Sequence, residues 1–200
     1  MRLLLLLGLF VLNIAASAQN RPRQMPAPTL LLGPQDWRFE HLPIPTGFAR
    51  DLPWRGFEEA RFAPGMFDTN SNNHFTYVLV VSLDQAPEVG AAELKDFLEK
   101  YFKGLSSAVG QRKQIKADYD EIKANVKPGG DAMNRYEATL PFFDTFNDGR
   151  KLTLNIDATV IPKSASGKTY LTLLISPKPR DAEEWKKLRS TIADLKLAEK

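Results

Sequence analysis

Two segments of the chain repeat apolar residues at the spacing of an amphipathic helix. From Ala91 to Val109 the apolar positions follow the i, i+3, i+4, i+7 pattern, which places them on one side of a helix. A second stripe predicts a closing helix from about residue 182 to 197, with Asp181 at its N-cap. Its members are Trp185, Leu188, Ile192 and Leu195. Each helix therefore needs an apolar surface against which to bury one side.

Much of the remaining chain alternates apolar and polar residues with the period of two that a strand requires. Strands are predicted at 37–42, 57–62, 75–83, 116–126, 134–143, 151–161 and 169–175. Stretch 75–83 is apolar on both faces, which indicates a central strand. Short turns such as Asn147-Asp148-Gly149 join the later strands, and they require antiparallel pairing. The pattern predicts an α+β fold, an antiparallel sheet of about seven strands flanked by two amphipathic helices in the order βββαββββα.

The first residues have the pattern of an export signal. Arg2 precedes an apolar run from Leu3 to Ile14, and Ala16-Ser17-Ala18 fits the small-x-small pattern that signal peptidase accepts. The run is shorter than the about 20 residues that span a bilayer. We expect residues 1–18 to be a cleaved signal peptide, residues 19–35 a proline-rich tether or arm whose first half is disordered, and residues 36–200 a single α+β domain.

The cysteine and charge content of the chain limits its possible cellular location and its possible partners. The chain contains no cysteine, so disulfides, thiolate chemistry and a lipid anchor on cysteine are excluded. A cysteine-free exported domain of this size favours a bacterial periplasmic or secreted protein. The 27 basic and 24 acidic side chains are interleaved along the chain, which argues against a nucleic-acid partner. We expect no transmembrane segment after signal cleavage, and the candidate partner is another envelope or secreted protein.

Residues that could carry catalysis are few. The two histidines, His41 and His74, have no metal-ligand spacing, and neither Gly-x-Ser-x-Gly nor a phosphate-binding glycine motif occurs. Glu58 and Glu59 are adjacent on a strand and therefore point to opposite faces. Asp118 and Asp120 share a predicted strand face, which solvation explains. We expect no catalytic residue, no metal and no cofactor.

The stretch from Trp37 to Tyr77 is rich in aromatic residues and arginine, a composition typical of recognition surfaces. It includes a compact turn, Arg61–Asp68, and a polar tip that ends at His74. The alternative is that the aromatic rings cover one end of the sheet. The candidate ligand or partner surface consists of Trp54, Arg55, Arg61, Phe67, His74 and Tyr77.

The end of the chain carries a family resemblance. A β-meander is followed by a last strand, a proline break and a tryptophan-containing helix, TYLTLLISPKPRDAEEWKKLRSTIADLKL. This order of elements, over the last two thirds of the chain, resembles the PsbP family of exported accessory proteins. The resemblance implies a fold used for binding and assembly rather than catalysis, and no residue matches the partner or metal sites of that family.

Three functions remain open from the sequence. The leading hypothesis is an exported non-enzymatic binding or assembly module. The first alternative is a hydrolase of unrecognised type that uses His74 with Tyr77 and Glu59. The second is a purely structural envelope protein.

Overall fold

The computed structural model describes residues 25–85, 87–130, 132–162, 164, 166–193 and 195. The described residues form one antiparallel sheet in the order β1-β2-β3-β7-β6-β5-β4. Its strands are β1 (Arg38–Ile44), β2 (Gly56–Phe62), β3 (Tyr77–Leu83), β4 (Asn125–Pro128), β5 (Arg135–Phe143), β6 (Lys151–Ile161) and β7 (Thr169–Ser176). The helices are α1 (Ala91–Lys113) and α2 (Glu183–Ala193). The predicted α+β class and element order are confirmed, whereas the predicted signal peptide lies outside the described residues.

The predicted strand at 116–126 is wrong over most of its length. Tyr119–Glu121 form a single 3₁₀ turn, because the Asp118 side chain accepts a hydrogen bond from the Asp120 amide at 3.1 Å. This local bond replaces the ladder bonds that a strand would make. Strand β4 begins only at Asn125, so Asp118 and Asp120 do not share a strand face. Helix α1 also continues one turn beyond the predicted Val109.

Both faces of the sheet are covered. Every residue of β3 and β7 is buried, as expected for the two strands near the middle of the sheet. On one face, Leu79 and Val81 of β3 pack with the apolar side of α1. On the other face, Val78 and Val80 pack with α2. We call these the α1 face and the α2 face. Within the described residues no helix is both long and apolar enough to cross a membrane.

The end of the N-terminal arm is fixed to the α2 face by two charged residues of β2. The Glu59 carboxylate accepts hydrogen bonds from the amides of Thr29, Leu30 and Leu31 at 2.8 to 2.9 Å. The Arg61 guanidinium donates to the Leu31 carbonyl at 3.0 and 3.1 Å and to the Trp37 carbonyl at 3.1 Å. Burial favours a raised pKa for Glu59, but these amide bonds and a hydrogen bond from the Thr29 hydroxyl at 2.7 Å outweigh it and hold the pKa below its ordinary value.

One helix is too narrow to cover the α1 face. Seven strands about 4.8 Å apart span roughly 30 Å, whereas a helix is about 10 Å across. Helix α1 contacts β4 and β5, and the segment 45–55 packs over the side nearer β1 through Ala49 and Leu52. That segment approaches α1 closely at Gly104, where an added Cβ would lie 2.1 Å from the Phe48 carbonyl oxygen. A cleft remains between the second half of α1 and strands β1 and β2.

Candidate functional site

An aromatic cleft of about 770 Å³ opens on the α1 face. Its floor is formed by β1, β2 and the start of β3, and one wall by the second half of α1, including Leu105, Ala108 and Val109. The loop after β1, the loop between β2 and β3, and Phe146 between β5 and β6 complete the lining. Ligand pockets in proteins have volumes of about 300 to 1,000 Å³. The cleft therefore has room for a small organic molecule.

Five aromatic rings form a closed circuit in the lining. The Phe62 ring lies 5.4 Å from Tyr77 and 6.1 Å from Phe67, measured between centroids. Phe67 lies 5.5 Å from Phe146, which lies 6.0 Å from Phe75. Phe75 closes the circuit at 5.9 Å from Tyr77. Residues from two strands and two loops are thus packed into one apolar surface.

Phe75 fixes the position of the loop that carries Phe67. Its backbone is in the left-handed region, with φ 52°, where a bulky residue is strained by about 1 to 3 kcal/mol. The surroundings hold it there, because its amide donates to the Met66 carbonyl at 2.9 Å and its ring lies 4.6 Å from Phe142. The aromatic lining is therefore preformed by contacts within the domain.

Glu58 is the buried acid of the cleft. It projects from β2 into the α1 face and is 2 % exposed. The Tyr101 hydroxyl donates to its Oε1 at 2.8 Å, while Oε2 has no hydrogen-bond partner among the described residues. Burial raises the pKa of Glu58 to about 8; the Tyr101 hydrogen bond opposes this rise, and the nearby Glu40 carboxylate adds to it. Glu58 is therefore mainly neutral at pH 7, and with Oε1 accepting from Tyr101 its proton lies on Oε2.

Glu40 and Tyr77 add to the polar character of the floor. Glu40 lies on β1, and burial raises its pKa although Arg38 acts in the opposite sense. Burial also raises the pKa of the Tyr77 hydroxyl well above its ordinary value, and the carboxylates of Glu58 and Glu40 add to this rise. The floor is thus uncharged at Glu58 and Tyr77 near neutral pH.

Four exposed basic residues line the mouth of the cleft: Arg38, Arg50, Arg112 and Lys113. The Arg38 guanidinium lies over the Phe67 ring, 5.6 Å from its centroid. Lys113 donates a hydrogen bond to the Phe146 carbonyl. No hydrogen bond or ion pair joins the Arg50 or Arg112 side chain to any other described residue. We call Arg50 and Arg112 the free cations of the mouth.

A shallower depression of about 410 Å³ lies on the outer side of the same loop. It is lined by Asp36, Arg38 and residues 62–68, and it is more open to solvent than the aromatic cleft. It contains no buried acid. The aromatic cleft is therefore the better candidate for a binding site.

The structure brings together two of the six predicted surface residues, Phe67 and Tyr77, which both line the cleft. Trp54 stacks on Phe97 of α1 at 5.5 Å, and Arg55 is exposed outside the cleft. Arg61 is buried on the α2 face, where it holds the arm. His74 is buried beside the β5–β6 loop and does not line the cleft. The predicted region 37–77 is thus divided between both faces of the sheet.

His74, Tyr77 and Glu59 do not form one cluster. The His74 Nε2 atom lies 3.0 Å from Asp144 Oδ2, to which Asn147 also donates at 2.8 Å. Glu59 faces the arm on the opposite side of the sheet. Within the described ranges, no group of three or more His, Asp or Glu side chains is placed to hold a metal ion. His41 stacks on Phe57 at 4.9 Å.

Seven polar residues of the cleft lie outside the predicted surface set: Arg38, Glu40, Arg50, Glu58, Tyr101, Arg112 and Lys113. A usable signal exists for Glu58, because the alternation of β2 places this acid on the same face as Ala60 and Phe62. An acid on the apolar face of a strand needs a partner. Tyr101 is the hydroxyl-bearing residue within the apolar stripe of α1, and it provides that partner.

Compared with known proteins, the chain matches no protein-family model, no curated protein and no solved structure.

Proposed function

We propose that the protein is an exported, non-enzymatic binding module that holds a small, largely apolar ligand in the aromatic cleft. The observation that carries this proposal is Glu58, a buried acid among the residues that line the cleft, whose Oε2 atom has no hydrogen-bond partner among the described residues. Leaving such a group without a hydrogen bond costs about 1 to 3 kcal/mol. A ligand oxygen in the cleft would accept this bond.

The aromatic circuit supports the same proposal. Rings in a ligand pocket provide a large apolar contact area, while a small number of polar groups fix the orientation of the ligand. Phe62, Phe67 and Tyr77 provide the area, and Glu58 with Tyr101 provides the polar contact. The resemblance to the PsbP family also favours binding over catalysis.

Export is part of the proposal and is supported by the pattern of residues 1–18. The intact mass of the protein recovered from periplasmic or culture fractions tests it. We expect a chain that begins at Gln19. A chain that retains Met1 and is recovered with membranes would contradict export without affecting the cleft.

Ligand binding is tested with 1-anilinonaphthalene, a small uncharged aromatic probe that fluoresces when it leaves water. The wild-type protein is expected to show saturable binding at one site. Ala108→Phe places a ring in the partly buried wall of the cleft and should weaken binding by at least about tenfold, since its bulk removes contact volume. Ala92→Phe is the matched control, because Ala92 is exposed at the other end of α1.

The fold of each variant is checked by circular dichroism and a thermal melt. If Ala108→Phe is folded and binds the probe as tightly as the wild type, the cleft is not the binding site. If the folded wild-type protein binds no probe, the proposed function is wrong.

A further inference from the structure

The mouth of the cleft differs in charge from its interior, and this difference restricts the ligand. The inference drawn from it rests on the proposed binding function. We infer that the ligand is an anionic amphiphile, whose apolar body lies among the aromatic rings and whose acid group lies at the mouth beside Arg50 and Arg112.

The interior excludes a charged head group of either sign. An anion buried at the floor would lose its hydration and would lie beside the Glu40 carboxyl group. The nearby cation on β1, Arg38, already lies over the Phe67 ring. A cation at the floor would lose its hydration beside a Glu58 that is mainly neutral. The body of the ligand must therefore be uncharged, with at most an oxygen that accepts from Glu58.

The mouth favours an anion. Arg50 lies in the loop after β1, whereas Arg112 lies in the last turn of α1, so two separate elements present guanidinium groups to one opening. Guanidinium groups bind carboxylates through paired hydrogen bonds. Arg112 also interacts favourably with the negative end of the helix dipole at the C-terminus of α1. Arg50 belongs to no helix, so an interaction with a helix dipole does not explain its position.

The test compares decanoate, decanol and decylamine, which share one alkyl chain and differ in the charge of the head group. Affinities are measured by displacement of the anilinonaphthalene probe below the concentration at which any of the three forms micelles. Decanoate should bind about tenfold more tightly than decanol, and decylamine more weakly than both, because the mouth carries positive charge. Added salt should weaken decanoate binding and leave decanol binding unchanged.

Substitutions at the mouth locate the acid group. Arg50→Gln and Arg112→Gln should each weaken decanoate binding by about threefold to fivefold and leave decanol binding unchanged, as expected for one exposed charge contact. Arg135→Gln is the matched control. It removes the same charge from an exposed residue at the opposite end of β5 from the cleft.

Two results separate this inference from the proposed function. If decanol or decylamine binds as tightly as decanoate, the anionic head group is wrong although the cleft remains a binding site. If none of the three compounds and no probe binds, the proposed function itself is wrong. Binding of decanoate that begins only above its micelle concentration would also overturn the inference, because it would indicate adsorption to micelles.

Discussion

The Glu58→Gln substitution should make the stability of the protein less dependent on pH. Glu58 is 2 % exposed, and its pKa in the folded chain is about 8 against an ordinary value of 4.5. At a pH between these two values, the folded state therefore keeps a proton that the unfolded chain has released. The contribution of the Glu58 proton to the free energy of unfolding is complete below about pH 4.5 and falls as the pH rises. It levels off above about pH 8, where Glu58 also ionises in the folded state.

The size of the effect follows from the two pKa values. Each pH unit between them costs about 1.4 kcal/mol, which gives about 5 kcal/mol over the whole interval and roughly 3 kcal/mol between pH 5 and pH 8. Glutamine has a similar shape, accepts the Tyr101 hydrogen bond through its oxygen and does not ionise. The other carboxyl groups are common to both proteins, so their effects cancel in the comparison.

The assay is urea unfolding of both proteins at pH 5 and pH 8. Between these values the wild type should lose roughly 3 kcal/mol more than Glu58→Gln. Glu88→Gln, an exposed acid outside the cleft, serves as control and should follow the wild type. Parallel pH profiles for the wild type and Glu58→Gln would show instead that Glu58 ionises normally in the folded state.

Three further substitutions test the fold around the cleft and the arm. Trp185→Ala should cost about 3 to 5 kcal/mol in chemical unfolding, because the indole is fully buried on the α2 face and its Nε1 donates to the Lys178 carbonyl at 2.9 Å. Gly104→Ala should cost about 1 to 3 kcal/mol despite the better helix propensity of alanine, since its Cβ would meet the Phe48 carbonyl; an unchanged melting midpoint would contradict that close approach. Glu59→Gln should destabilise the domain by about 2 kcal/mol and release the arm, which faster hydrogen exchange at the Leu30 and Leu31 amides would show.

Local pattern was sufficient for most of the fold. The spacing of Leu94, Phe97, Leu98 and Tyr101 predicts α1, and the alternation along residues 151–161 matches β6 at both ends. The error at 116–126 has a local cause. Asp118 makes a side-chain hydrogen bond to the backbone two residues later, and such a bond competes with strand pairing without changing the apolar pattern.

The cleft was harder to predict because it depends on contacts between distant residues. Glu58 acquires its raised pKa from burial against α1, and its hydrogen-bond partner Tyr101 is 43 residues away. Arg61 is of a residue type that is enriched in recognition surfaces, yet it is buried because the backbone carbonyls of Leu31 and Trp37 accept its hydrogen bonds. Arginine and aromatic content alone does not distinguish these two environments.

Amide chemical-shift mapping by NMR during a decanoate titration tests cleft binding most directly. We expect saturable shifts that are largest at cleft residues such as Phe62, Tyr77 and Leu105, with the α2 face unchanged. Shifts centred on Trp185 and Leu188, or the absence of saturable shifts in the folded protein, would contradict it.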